Sequence, residues 1–88
     1  MKIAVWDTYV KRADGIIMHF DILVDSTLKD TERVFQYGQA YLDTKSFDTE
    51  KLTSKECTFC HIEYPTGTLK HEIETVGFSI IEMENCDE

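Results

Sequence analysis

Two runs of residues on either side of an Asp-Gly pair constrain this chain more than anything else in it. Residues 2–10 (KIAVWDTYV) and 16–24 (IIMHFDILV) are rich in β-branched and aromatic side chains, the types that suit a pleated, half-buried surface. Between them Arg12-Ala13-Asp14-Gly15 offers a turn in which Gly15 can take positive φ, so the two runs are read as a β-hairpin. In the second run Ile16, Met18, Phe20, Ile22 and Val24 fall on one face, and Ile17, His19, Asp21 and Leu23 on the other. That is the period-two alternation of a strand.

The register of the hairpin decides which side chains meet. Pairing Tyr9 with Met18 places Ile3, Val5 and Tyr9 on the apolar face with Met18, Ile22 and Val24. Trp6 and Thr8 then share the other face with His19 and Asp21. A slip of one residue turns every side chain of the first strand over. It also sets Asp7 opposite Asp21, where like charges repel unless a proton or a cation lies between them. The unslipped register is therefore expected.

Beyond the hairpin, Asp25-Ser26-Thr27 is a capping cluster, and Thr27 with Asp30 fits a capping box. A helix is expected to follow to about Asp43, with Val34, Phe35, Gly38, Tyr41 and Leu42 at spacings of three and four. Gly38 weakens a helix by roughly 1 kcal/mol relative to Ala, so its place in the apolar stripe points to a close approach of helix and sheet. Residues 44–54 read as a polar loop pinned by Phe47 and Leu52, and residues 55–62 (KECTFCHI) as a third strand or a turn. Pro65-Thr66-Gly67 opens a second helix with Leu69, Ile73 and Val76 as its stripe, ended by Gly77. Residues 78–83 (FSIIEM) make the last strand. The expected fold class is α+β: a single small two-layer domain over residues 1–88, in β-β-α-β-α-β order, with both helices packed on one face of the sheet. Residues 84–88 are expected to form a frayed acidic tail.

Composition narrows the partners. The 88 residues have room for one core. Nine basic against seventeen acidic side chains give a net charge of −8, the wrong field for nucleic acid or an anionic membrane surface. Negative charge instead favours a soluble monomer or weak dimer. An acid falls within the first seven residues, and no segment is long and apolar enough for a signal or a membrane span. Three cysteines, an odd number, then imply reduced thiols in the cytoplasm.

Five stretches, AVWDTYV, IMHFDI, YGQAYL, SKECTFCHIE and IIEME, together resemble one bacterial family, the domain of unknown function numbered two thousand and twenty-four. The likeness runs through nearly the whole chain in the right order. It implies a compact α+β fold and a cytoplasmic protein, and supplies no activity.

Two groups of residues could carry chemistry. Cys57-Thr58-Phe59-Cys60-His61 matches the C-x-x-C-H of c-type haem attachment, but haem is attached outside the cytoplasm and needs a larger apolar crevice. A zinc site on Cys57, Cys60 and His61, completed by Cys86, His71 or His19, is the more serious alternative. A strand here would separate Cys57 and Cys60 by about 10 Å on opposite faces, too far to share a metal or a disulfide. Cys60 is then expected inward, in the core, and Cys57 more accessible. His61 and Glu63 share a strand face with Cys57, and Cys57 with His61 could be written as a nucleophile and its base, yet no Gly-rich loop offers an oxyanion hole. No residue is assigned a catalytic role, and no cofactor is expected outside the zinc alternative. The second group is Trp6, Asp7, Tyr9, His19 and Asp21 on the hairpin, a docking surface for a protein or small-molecule ligand. The expected function is a small, non-catalytic binding or regulatory module. The acidic runs around Glu72 and Glu74, and from Glu82 to Glu88, lack the alternate Asp and Asn of a calcium loop.

Overall fold

Alternation of apolar and polar residues makes β1 (Ile3–Lys11) and β2 (Ile17–Asp25) an antiparallel pair, as the sequence predicts. The coordinates, a computed structural model, describe residues 1–87; Glu88, the end of the expected tail, lies outside the described residues. The turn is tied by Arg12 N–H to Ile16 O (2.8 Å) and Gly15 N–H to Arg12 O (2.9 Å). Gly15 sits at φ 89°, a conformation that costs a residue with a Cβ but not glycine.

The register differs from the expected one by a single residue. Tyr9 faces His19, Val10 faces Met18, and Asp7 faces Asp21. Core burial and a local counter-group explain the difference. The observed pairing buries Val10 completely and leaves Tyr9 half exposed; the expected pairing would have done the reverse, with an unpaired hydroxyl inside. The repulsion between Asp7 and Asp21 is met by the His19 imidazole. Its Nε2 stands 2.6 Å from Asp7 Oδ1 and 3.9 Å from Asp21 Oδ1.

β3 (Cys57–Glu63) and β4 (Phe78–Glu84) complete a sheet of order β3-β1-β2-β4, antiparallel throughout. α1 (Thr31–Leu42) begins three residues later than expected. Asp25 instead closes a turn of its own, its Oδ1 accepting from both N–H and Oγ1 of Thr27 at 2.9 Å. Asp30 is the true N-cap, accepting from Glu32 N–H at 3.0 Å, the bond that satisfies an orphan donor of the first turn. Gly38 makes the predicted close approach: a Cβ there would lie 2.7 Å from Ile22 Cδ1 and would collide with Leu52. Leu52 is buried, and Phe47 packs under the Arg12 guanidinium at 4.0 Å, so both residues pin the 44–54 loop as expected. α2 (Gly67–Val76) ends at Gly77, whose φ is 101°. Leu69 and Ile73 face the sheet, but Val76 is exposed and falls outside the stripe.

The two helices do not share a face. Val34 and Leu42 of α1 pack with Ala4, Val10, Met18, Phe20, Ile22 and Val24, together with Leu52, Cys57 and Cys86. Ile73 and Leu69 of α2 pack with Ile3, Val5 and Leu23. Those are the alternate residues of the same strands, so α2 covers the opposite side. The hairpin explains this, since Ile3, Val5 and Leu23 are as apolar as their neighbours and need a cover of their own. The tail also departs from expectation. Cys86 is buried, Asn85 Nδ2 donates to Ile17 O (2.8 Å), and Arg12 donates to Asp87 O (2.7 Å). Residues 84–87 are docked across the hairpin.

Candidate functional site

α2 covers only the end of its face that holds Ile3, Val5 and Leu23. The next residues along the same face are Asp7 and Tyr9 on β1, and His19 and Asp21 on β2. The antiparallel register sets these four side by side, and α2 does not pack on them. His19 and Asp21 side chains are each 18% exposed, and Asp7 31%. One donor atom from each of these three lies within 4.8 Å of the others. The Tyr9 ring stacks on the His19 imidazole, centroids 4.2 Å apart and planes 11° apart, which fixes the imidazole between the carboxylates.

The electrostatics follow from this crowding. Partial burial pushes the Asp21 carboxyl up, its hydrogen bond to Asp7 and the Asp7 charge push it further, and His19 and His61 oppose the rise. The Tyr9 hydroxyl is raised by desolvation and then by Asp7, Glu84 and Asp21. Glu84, opposite His19 on β4, therefore adds to a strongly negative patch. Ile81, opposite Asp21, is exposed and supplies an apolar margin. Sequence reasoning found Asp7, Tyr9, His19 and Asp21 but not Glu84. The pairing of β4 with β2 is a long-range choice with no local signal.

Trp6, the fifth residue of the expected cluster, is not there. It points to the α1 side, edge-on to Phe59 with centroids 5.9 Å apart. Its Nε1 is buried without a hydrogen-bond partner among the described residues, a defect that typically costs about 1–3 kcal/mol.

The cysteines are reversed relative to expectation. Cys57 pairs with Thr8 and is buried in the α1-side core; Cys60 is exposed. The reason is the pairing of β3 with β1, which turns Cys57 inward with Thr8, while a bulge opposite Val5 and Trp6 re-aims the strand near Cys60. Burial pushes the Cys57 thiol up, as for an inert core thiol. His61 lies 3.2 Å from Cys60 Sγ and 2.5 Å from Glu63 Oε1, on the exposed edge strand. Cys57 is thus separated from Cys60 and His61, and the three do not converge.

Known proteins share this architecture. The chain is similar over 99% of its length to protein NE1680 from Nitrosomonas europaea, whose NMR structure it matches with a TM-score of 0.84 and 36% identity, covering all of that chain. No curated protein matches it. A match over residues 1–83, running from the hairpin through the last strand, shows that the chain belongs to the family described as Domain of unknown function (DUF2024).

Proposed function

We propose that this domain is a small, non-catalytic binding module that holds one divalent transition-metal ion on its uncovered sheet face, between Asp7, His19 and Asp21. The observation that carries the reading is the convergence of three donors from two rigid strands on a face that α2 leaves open. One imidazole nitrogen and two carboxylate oxygens suit zinc and its first-row neighbours. Around a tetrahedral ion with ligands at about 2.0–2.2 Å, donor atoms stand roughly 3.3 Å apart. The His19 nitrogen is 2.6 Å from one carboxylate and 3.9 Å from the other, so shifts well under an ångström suffice. A cation here also relieves the opposition of Asp7 and Asp21, which His19 and His61 counter only in part. The remaining coordination positions face solvent, where water or a partner's donor can enter.

Calorimetric titration of chelator-treated protein with zinc chloride, and separately manganese chloride, tests this. One ion per chain is expected for at least one metal, with binding lost in His19→Ala and in Asp21→Asn while the amide NMR spectrum stays dispersed. Binding that survives both substitutions but disappears in Cys60→Ser or His61→Ala would move the metal to the β3 edge and end this reading. No saturable binding of either metal would end it as well.

A further inference from the structure

On the other side of the sheet, at the β3 edge, α1 and the loop before β3 leave a pocket of about 570 Å³. That is within the range of small-ligand sites. Its walls include three aromatic side chains from three elements: Trp6 of β1, Phe35 of α1 and Phe59 of β3. Leu52 and Cys57 line it as well. Trp6 and Phe59 meet edge to face, with planes at 75° and centroids 5.9 Å apart, so the two rings brace each other as adjoining walls.

The charge lining this pocket has one sign. Glu32 is its only charged lining residue, and no Lys or Arg lines it. The Glu32 carboxylate has no ion-pair partner among the described residues. Trp6 and Phe59 also line a smaller depression of about 300 Å³ toward Ile62, but Lys29 sits there, so a cation is drawn to the Glu32 side. The choice of Trp at position 6 fits the same chemistry. Its Nε1 has no acceptor among the described residues, so the indole contributes its face and not a hydrogen bond to the fold. Among aromatic rings the indole face attracts cations most strongly.

We infer that this pocket binds a small organic cation, a free quaternary ammonium compound whose methylated head group sits against Trp6, Phe35 and Phe59 beside Glu32. This goes beyond the metal reading and rests on different residues on the opposite face of the sheet. Aromatic rings and a nearby carboxylate recognise such a head group, because its charge is spread over methyl groups that can be desolvated without losing hydrogen bonds.

The chain has a single tryptophan, so intrinsic fluorescence reports on this pocket directly. The experiment titrates the full chain with choline, with its neutral isostere 3,3-dimethylbutan-1-ol, and with a trimethyllysine peptide. Choline is expected to give a saturable change in Trp6 emission and to bind roughly tenfold more tightly than the isostere. Glu32→Gln and Phe59→Leu, both at exposed positions, should each weaken choline at least threefold, and Asp21→Asn should leave it unchanged. Equal binding of choline and isostere, no saturable change, or choline binding unaltered in both pocket variants would overturn the inference. A peptide that binds tenfold more tightly than choline would overturn the choice of a free small molecule.

Discussion

The two faces of the sheet are made by the same strands, yet one is closed and the other is half open. On the α1 side, Ala4, Val10, Met18, Phe20, Ile22 and Val24 meet Val34 and Leu42 of a twelve-residue helix, and Leu52 and Cys86 complete the cover. On the α2 side a shorter helix buries Ile3, Val5 and Leu23. Past that point the same face carries Asp7, His19 and Asp21, with Tyr9 and Ile81 exposed beside them. Apolar area removed from water is the main source of stability in a domain this small, so the closed face holds the fold together. The open face keeps two like charges in apposition, a local conflict of the kind that marks functional sites in otherwise consistent folds.

The sharpest test of that division is to remove the same kind of bulk from each face. Phe20 is fully buried and packs against the Tyr41 ring with centroids 4.7 Å apart. Phe20→Ala should cost about 3–5 kcal/mol, the usual range for an aromatic truncated inside a core. Ile81→Ala, across from Asp21 on the open face, should cost under about 1 kcal/mol, because much of the side chain is already in water. Urea unfolding measures both. Equal losses would mean that the open face is covered in solution, by a second chain or otherwise.

The cysteines give a second contrast within one strand. Cys57→Ser places a hydroxyl in the closed core and should destabilise by roughly 1–3 kcal/mol. Cys60→Ser, on the exposed bulge, should be nearly silent in the same melts. Thiol labelling of the native protein should modify Cys60 first, since Cys57 and Cys86 are buried. Fast labelling of Cys57 without unfolding would show that β3 does not hold the position assigned to it.

The hairpin, the element order and the close approach at Gly38 were all legible in the sequence, because each rests on local chemistry: alternation, an Asp-Gly turn, a glycine inside an apolar stripe. The register was not. A single charge pair, Asp7 against Asp21, argues against the slip, but the burial of Val10 and the place of His19 beside both carboxylates emerge only when both strands are placed together. The same slip misplaces one member of the cluster: in the expected register Trp6 shares a face with His19 and Asp21, whereas the true pairing sends Trp6 to the α1 side and seats Asp7 and Tyr9 beside them. The placement of the helices on two faces was also out of reach, because Leu69 and Ile73 describe an apolar stripe without saying which side of the sheet it meets. Cys57 and Cys60 were exchanged for a related reason, a bulge that no residue in KECTFCHI announces.

If the open face stores electrostatic strain, easing it should stabilise the metal-free protein. Asp21→Asn keeps the shape and can donate to Asp7 while removing one of the opposed charges. In chelator at neutral pH it should raise stability by roughly 0.2–1 kcal/mol, the scale of a like-charge pair across two strands. The same substitution should abolish metal binding, so stability and function are predicted to move in opposite directions at one residue. A loss of stability in Asp21→Asn would mean that the charged cluster supports the fold, and the comparison between the faces would fail.

The smallest expected effect concerns how the two faces answer acid. At the edge of the closed face Glu82 accepts from Lys45 Nζ at 2.8 Å and from the Tyr41 hydroxyl. Lys45 first and Tyr41 second hold its carboxyl below the ordinary value of 4.5, while burial and then Glu82 push the Tyr41 hydroxyl up. A carboxylate with a lower pKa folded than unfolded adds stability above its unfolded value and loses it as pH falls through the folded one. Asp21 has the opposite sign. Its raised folded pKa makes its contribution most favourable below the unfolded value of about 3.8, and that contribution is lost as pH rises through the folded pKa. Because Glu82 is nearly half exposed, its pair is screened and worth only a few tenths of a kcal/mol. Glu82→Gln should therefore lower the urea midpoint slightly at pH 7, and the difference from the parent should vanish as pH falls through the folded pKa of Glu82. For Asp21→Asn in chelator the gain at pH 7 should shrink as pH falls through the raised folded pKa of Asp21, where the parent takes up its proton. Urea midpoints for both variants between pH 3 and pH 7 measure this directly. Variant-minus-parent differences that shrink from the same sign would show the two carboxylates to be in equivalent settings, against the division of the sheet into a closed face and an open one.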